Sequence, residues 1–191
     1  MIELDPVIFE LSNGMKVVYL KRDAYVAHLG VMVHAGSRFE KPNEQGLAHF
    51  IEHCIFKGTR KRTSFDVFSD LDRVGGELNA YTNKEEISVH ASFRKAHFSI
   101  AAELIGDILQ NATFPEKELK KEKDVILDEI MSYLDSPIER IHDEFEAHLY
   151  KGHSLGYNIL GTEESVKSFT RDDILNYIDR LFTPKNMVIS F

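Results

Sequence analysis

The chain has 191 residues, of which 43% are hydrophobic, and 23 Lys and Arg against 31 Asp and Glu give a formal net charge of −8. This length is enough for one large domain with its own core or for two small ones. The acidic balance, without a long run of Lys or Arg, argues against a protein that binds nucleic acid. The single cysteine, Cys54, excludes an intrachain disulfide and any four-cysteine zinc or iron–sulfur site built from this chain alone.

The sequence shows no membrane or export signal. No segment approaches the roughly 18 uninterrupted apolar residues of a membrane span, and the first six residues lack the basic and apolar regions of a signal peptide. We therefore expect a soluble, cytoplasmic protein with no membrane span. Its nine histidines are the ligand type that a metalloprotein poor in cysteine would use.

The first half of the chain predicts strands and two helices. Two β-prone runs within 7–20 flank Asn13-Gly14, which is a strong hairpin signal. Period-two alternation predicts a third strand over about 25–35, and period-3.6 spacing predicts a helix over 44–57. A second helix should run from Thr63 or Ser64 to about Val74, and 77–93 should form two strands around a turn near Asn83.

The second half is predicted to be mostly helical. The expected helices span about 96–111, 116–134 and 137–150, with another from the Thr170 cap to about Leu181. The last residues, 187–191, have the pattern of a strand that is cut off as it begins. Because no linker or repeat interrupts this order, we predict one α+β domain over 1–191, with a largely antiparallel sheet packed against helices. We also expect the chain to be part of a longer protein.

The predicted helix 44–57 contains the sequence His49-Phe50-Ile51-Glu52-His53. Residues four apart on a helix differ by about 40° around the axis and about 6 Å along it, so His49 and His53 can reach one metal ion. Glu52 lies at the edge of the same face, where it can accept a proton from a water molecule on that metal. Two histidines and a glutamate also occur by chance on solvated helix faces, so this short motif alone leaves both interpretations open.

The predicted helix 116–134 offers candidates for a third ligand. Glu122 and Glu129 are seven residues apart and therefore lie on one face of that helix. A carboxylate pair on a partly apolar face is unfavourable to bury without a cation, although a solvated stripe on a helix rich in Lys and Glu is the alternative. The other seven histidines have no partner at ligand spacing, and we expect no direct chemical role for them.

Two segments surround the motif: Gly36-Ser37-Arg38-Phe39-Glu40 and Gly46-Leu47-Ala48-His49-Phe50-Ile51-Glu52-His53-Cys54-Ile55-Phe56-Lys57-Gly58-Thr59. Together they resemble the inverse-zincin peptidases, the family of pitrilysin, insulinase and mitochondrial processing peptidase. The resemblance extends over about residues 7–191. In that family the third zinc ligand is a glutamate 76 positions after the second histidine, and that position is Glu129 in this chain.

The resemblance implies a zinc-dependent metalloendopeptidase domain with one zinc ion and with a mixed sheet covered by helices. By this likeness His49, His53 and Glu129 hold the metal, and Glu52 activates the zinc-bound water. Glu122 would contact one of the histidine ligands and stabilise its orientation without binding the metal itself. The segment Glu77-Leu78-Asn79-Ala80-Tyr81-Thr82 resembles the family's strand beside the cleft, so the backbone at Asn79, Ala80 and Tyr81 is a candidate binding site for an extended peptide. The alternative is that this segment is an ordinary strand beside the core, because such strands have similar residues.

The family also implies partners for this chain. Its enzymes enclose short or unfolded peptides between two homologous domains, so we expect a homologous C-terminal domain in cis or a partner subunit in trans, and a dimer is compatible with this. The alternative is a non-catalytic scaffold or peptide-binding subunit, a class that commonly lacks one or more motif residues. A zinc enzyme acting on something other than peptides is a third interpretation.

Overall fold

The computed structural model describes residues 5–191, which form six strands and seven helices. The strands are β1 (Val7–Glu10), β2 (Lys16–Tyr19), β3 (Val26–Val33), β4 (Glu77–Thr82), β5 (Ile87–Arg94) and β6 (Met187–Ser190). The helices are α1 (Leu47–Ile55), α2 (Ser64–Asp72), α3 (Phe98–Asn111), α4 (Glu116–Leu134), α5 (Pro137–Leu149), α6 (Glu163–Ser168) and α7 (Arg171–Leu181). The predicted α+β class is confirmed.

The strands form one sheet in the order β1-β2-β6-β3-β5-β4. Strands β2 and β6 are parallel, and every other neighbouring pair is antiparallel. The sheet is therefore mixed and largely antiparallel, as expected. Strand β4 lies at one edge, and β6 is the only strand within residues 5–191 that joins the β1–β2 hairpin to the rest of the sheet.

Local sequence explains most element boundaries. The predicted hairpin forms around Gly14, which has a φ of +88°, and Thr63 and Thr170 cap α2 and α7 through reciprocal hydrogen bonds with the third helical residue. Helix α1 begins at residue 47 rather than 44, because Gly46 has a left-handed φ of +89° that cannot continue a helix. The six-residue helix α6 was not predicted, since it is too short for hydrophobic periodicity to reveal it.

The core lies between the sheet and the motif helix. Residues of β3 and β5, including Val33, Val89 and Phe93, are buried in one hydrophobic core together with residues of α1 and α3. Helix α1 is the most buried helix, with Leu47, Phe50 and five further residues below the surface. This burial fixes α1 firmly and leaves only one side of it facing a cleft.

Helix α5 is the opposite case, because none of its residues is buried. Its apolar side chains Ile138, Ile141, Phe145 and Leu149 are 79%, 60%, 66% and 61% exposed. Their spacing places them along one side of the helix, and we call them the apolar stripe of α5. Among residues 5–191, the helices lack the combination of length and hydrophobicity that a membrane crossing requires.

Candidate metal centre and cleft

The start of α1 is held by the side chain of Glu40 on one side and by a close backbone approach on the other. The carboxyl group of Glu40 is buried and accepts hydrogen bonds from the N–H groups of Gly46 (3.0 Å) and Ala48 (2.9 Å), which have no acceptor within the helix itself. On the other side, a Cβ atom at Gly46 would lie 2.6 Å from the carbonyl oxygen of Leu160 and 2.7 Å from Cα of Gly161. These contacts fix where α1 begins and therefore where its motif residues point.

Helices α1 and α4 pack together and bring three of the predicted site residues to one place. One potential ligand atom from each of His49, His53 and Glu129 lies within 4.8 Å of the other two. His49 is buried, His53 is partly buried, and the Glu129 side chain is 43% exposed on the cleft side. The two histidines come from one helix and the carboxylate from the next, so the cluster depends on how α1 and α4 pack.

The geometry of these three groups fits a zinc ion. Nε2 of His49 and Nε2 of His53 lie 3.7 Å and 3.6 Å from Oε2 of Glu129. These separations are too long for hydrogen bonds, but they are close to the ~3.3 Å between ligand atoms around a tetrahedral ion with bonds of about 2.0 Å. Two imidazoles and one carboxylate are also a ligand set that catalytic zinc sites use.

The environment of His49 keeps its imidazole available to a metal. Burial, together with the neighbouring His53, lowers the pKa of His49 to about 4. The imidazole is therefore uncharged near neutral pH, which is the form that coordinates metals. Its Nδ1 atom is buried without a hydrogen-bond partner within residues 5–191, so no protein network there competes for the ring.

Glu122 lies behind His53. Its side chain is only 10% exposed, and its Oε2 atom is 3.3 Å from Nδ1 of His53. Its other oxygen, Oε1, is 2.7 Å from the ammonium group of Lys57. Sequence reasoning missed Lys57, although its position four residues after His53 on the same helical segment was a usable signal.

Glu52 lines the cleft beside His49 and is partly buried. Burial raises the pKa of Glu52 above its usual range. A carboxyl group whose pKa is moved toward neutral pH is better matched to accepting and returning a proton than an ordinary surface carboxyl group. The structure thus brings Glu52 to the same end of the cleft as His49 and Glu129.

The cleft has a volume of about 600 Å³ and runs from the metal-ligand cluster along α5. Its walls include His49, Glu52, Ala80, Tyr81, Thr82, Glu129, Tyr133, Glu139, Asp143 and Asn158. Sequence reasoning missed Glu139 and Asp143, which are four residues apart and face the cleft from α5. Asp143 accepts a hydrogen bond from Asn158 (3.0 Å). With four carboxyl groups in its walls, the cleft favours cationic groups.

Strand β4 forms one wall of the cleft and is an edge of the sheet. Ala80 and Tyr81 line the 600 Å³ cleft, whereas Asn79 lines a smaller neighbouring pocket near Glu122. The backbone N–H of Ala80 donates to the side-chain oxygen of Asn79 (2.9 Å), and the Tyr81 hydroxyl donates to Glu86 (3.0 Å). An edge strand next to a cleft offers unpaired backbone groups to an extended peptide.

Comparison with known proteins gives a consistent result. Residues 16–163 match the family described as Insulinase (Peptidase family M16). The chain is 39% identical over 184 residues to the uncharacterized zinc protease YmxG of Bacillus subtilis, covering 95% of this chain and 45% of that protein. It is also 39% identical over 181 residues to a probable mitochondrial-processing peptidase subunit beta of Arabidopsis thaliana, covering 94% of this chain and 34% of that protein.

Solved structures share the fold. A protease from Helicobacter pylori superposes with a TM-score of 0.93 at 24% identity, over 98% of this chain and 46% of that chain. The periplasmic protease PqqL of Escherichia coli superposes with a TM-score of 0.88 at 23% identity, over 99% of this chain and 22% of that chain. The chain therefore spans less than half the length of these relatives.

Proposed function

Because the chain belongs to the insulinase family of peptidases, peptidase family M16, we propose that it is the catalytic half of a zinc-dependent metalloendopeptidase. The observation that carries this proposal is the cluster of His49, His53 and Glu129 at one end of a cleft that Glu52 also lines. Related proteins named as zinc proteases support the same chemistry at the level of the family.

One zinc ion held by His49, His53 and Glu129 would supply Lewis-acid activation of water and of a peptide carbonyl. In our proposal Glu52 takes the proton of the attacking water and returns it to the amine that leaves when the C–N bond breaks. The raised pKa of Glu52 supports both transfers. Burial of His49 keeps its ring neutral and fixed, so that it does not have to reorganise during the reaction.

We propose that the substrate is a short or unfolded peptide that adds to the edge of β4. Pairing at Asn79, Ala80 and Tyr81 would align an extended chain along the cleft wall, and it would have to displace the Asn79 side chain from the Ala80 N–H. The carboxyl groups of Glu139 and Asp143 favour a peptide with basic side chains.

We further propose that a homologous domain, in cis or in trans, faces this cleft. Two observations support this: the chain spans less than half of the related peptidases, and the apolar stripe of α5 is exposed next to the cleft. A scaffold without activity is not favoured. Such subunits commonly lack motif residues, whereas this chain has His49, Glu52, His53 and Glu129. Hydrolysis of something other than peptides has no specific observation in its favour.

The direct test is the substitution Glu52→Gln, which keeps the size of the side chain but removes its basicity. We expect zinc binding to remain and hydrolysis of unstructured peptides to fall by at least 100-fold. Zinc content by atomic spectroscopy and cleavage of basic, neutral and acidic peptides, with and without a chelator, are the measurements. They should be made on the chain alone and with the homologous C-terminal domain.

Glu116→Gln is the matched control, because Glu116 is exposed at the start of α4 and lies far from the cluster in the helix. Undiminished cleavage by Glu52→Gln would overturn the role of Glu52. A wild-type protein that binds no zinc would overturn the metalloendopeptidase, and bound zinc without any peptide turnover would favour a different substrate.

A further inference from the structure

Lys57 lies just after the end of α1, within reach of α4. Its backbone N–H donates to the carbonyl oxygen of Cys54 (3.1 Å), which keeps it in the last turn of the motif helix. Its side chain is only 22% exposed, and its ammonium group is 2.7 Å from Oε1 of Glu122. The pair therefore connects the end of α1 to α4 beside the metal-ligand cluster, and it is largely shielded from solvent.

Glu122 uses its two oxygens for two different partners. Oε1 faces Lys57, and Oε2 lies 3.3 Å from Nδ1 of His53. A carboxylate can only accept hydrogen bonds, so Nδ1 must carry the proton in this contact. In a neutral imidazole the lone pair is then on Nε2, and Nε2 of His53 is the atom that faces Glu129 at 3.6 Å.

Charge makes Lys57 important for this arrangement. Glu52, Glu122 and Glu129 place three carboxyl groups around two histidines. Within residues 5–191, Lys57 is the one Lys or Arg that forms an ion pair with any of the three. Without it, the carboxylate of Glu122 would be buried with a single long contact and free to turn away from His53.

We propose that Lys57 is a positioning residue, which holds Glu122 so that His53 presents Nε2 to the zinc ion. This inference rests on the proposed function only for the metal, because the orientation of His53 is a property of the metal-free protein. Within residues 5–191, Lys57 forms no ion pair with Glu129 and does not line the 600 Å³ cleft; it lies at the smaller neighbouring pocket, where it pairs with Glu122. It acts through Glu122.

The first test compares Lys57→Met with Lys57→Arg. We expect Lys57→Met to weaken zinc binding by about 10- to 100-fold, measured by competition with a chelator, and Lys57→Arg to recover most of this loss because it keeps the positive charge. The control is Lys121→Met. Lys121 is adjacent to Glu122 in sequence, but its side chain is 57% exposed and, among residues 5–191, pairs only with Glu118. Far-UV circular dichroism checks that each variant is folded.

A double-mutant cycle shows whether Lys57 acts through Glu122. In a Glu122→Gln background, Lys57→Met should have little further effect on zinc affinity, because the group that it positions has already lost its charge. Independent effects that multiply would overturn the proposal, since Lys57 would then act by another route.

The third readout needs no metal. In the zinc-free wild-type protein, ¹⁵N NMR of the imidazole rings should show His53 with its proton on Nδ1, and Lys57→Met should give a mixture of the two tautomers. Unchanged tautomer and unchanged zinc affinity in Lys57→Met would overturn the role of Lys57 and leave the proposed function standing. A wild-type protein that binds no zinc would instead overturn the proposed function, while the tautomer measurement would still decide the role of Lys57.

Discussion

At the scale of single residues, Gly46 determines where the motif helix begins. It has a φ of +89°, and an added Cβ would meet the backbone of Leu160 and Gly161 at 2.6–2.7 Å. Both the left-handed conformation and this close backbone approach require a residue without a side chain. The helix start, and with it the direction of His49 three residues later, therefore depends on a contact between two loops that are distant in sequence.

We predict that Gly46→Ala lowers the free energy of unfolding by about 2–4 kcal/mol, because backbone strain and a steric clash add. Urea denaturation measures the change, and zinc affinity should fall with it as α1 shifts. The control is Gly75→Ala: Gly75 also has a positive φ (+73°), but an added Cβ there would meet nothing within 4 Å. Equal losses in the two variants would show that the contact with Gly161 is unimportant.

Several site residues could be predicted individually, and others could not. His49 and Glu52 are recognisable from helical spacing, and Glu129 from its distance to His53 along a family pattern. The roles of Lys57, Glu139 and Asp143 could not be predicted, because these residues reach the site only through the packing of α1, α4 and α5. Their neighbours are set by packing between helices, which the sequence periodicity of each helix does not specify.

At the scale of elements, Asp107 ties the segment between α1 and α2 to α3. It accepts hydrogen bonds from Thr59 (2.7 Å), Arg62 (2.6 Å) and Asn111 (2.8 Å), and its side chain is 1% exposed. Burial alone would raise the pKa of Asp107, but the hydrogen bonds from these three residues outweigh it and hold the pKa below its usual range. The connection that follows the motif helix is therefore anchored by a charged group.

This anchor makes part of the stability depend on pH. Because the pKa of Asp107 is lower in the folded than in the unfolded protein, its contribution is fully present above about pH 4 and is lost as the pH falls through the folded value. We predict that Asp107→Asn lowers the free energy of unfolding by about 3 kcal/mol at pH 7. The difference from wild type should shrink at pH 3 or below.

Urea denaturation at pH 7 and at pH 3 measures the loss of stability in Asp107→Asn, and Asp124→Asn is the control. Asp124 is exposed on α4, and its replacement should change stability little at either pH. A constant difference for Asp107→Asn across this pH range would contradict the assignment of the pH dependence to Asp107.

Element types were predictable where the signal was local. Asn13-Gly14 marks a hairpin, and Thr63 and Thr170 mark helix starts, because each acts through hydrogen bonds within a few residues. The strand order was not predictable in the same way. The parallel pairing of β2 with β6 joins residues about 170 positions apart, and no local pattern selects that partner.

At the scale of the whole molecule, the exposed apolar stripe of α5 should matter little for the stability of this chain and much for its association with another domain. Because Phe145 is 66% exposed, Phe145→Glu should leave the stability of this chain within about 0.5 kcal/mol of wild type. If a homologous domain covers the stripe, we predict that the same change weakens its association at least 30-fold, since buried aromatic side chains dominate interfaces. Titration calorimetry with the separately produced C-terminal domain measures this.

Phe65→Glu is the matched control, because Phe65 is 72% exposed on α2 and lies outside the stripe. If both variants associate like wild type, the stripe is not the interface. The amphipathic pattern of α5 was visible in the sequence, but periodicity shows only that a helix has an apolar side. Whether that side faces its own core or another domain is decided by the tertiary structure.

The central position of β6 has a consequence for the order of events during synthesis. The β1–β2 hairpin is made first, but within residues 5–191 it joins the sheet only through residues 187–190. As the chain leaves the ribosome, the hairpin must therefore wait until nearly all of these residues have been translated. Until then Val17, which is 3% exposed in the folded protein and pairs with Ile189, is unprotected. A ribosome stalled before Met187 would hold a nascent chain whose metal-ligand helices are complete and whose sheet is still in two parts.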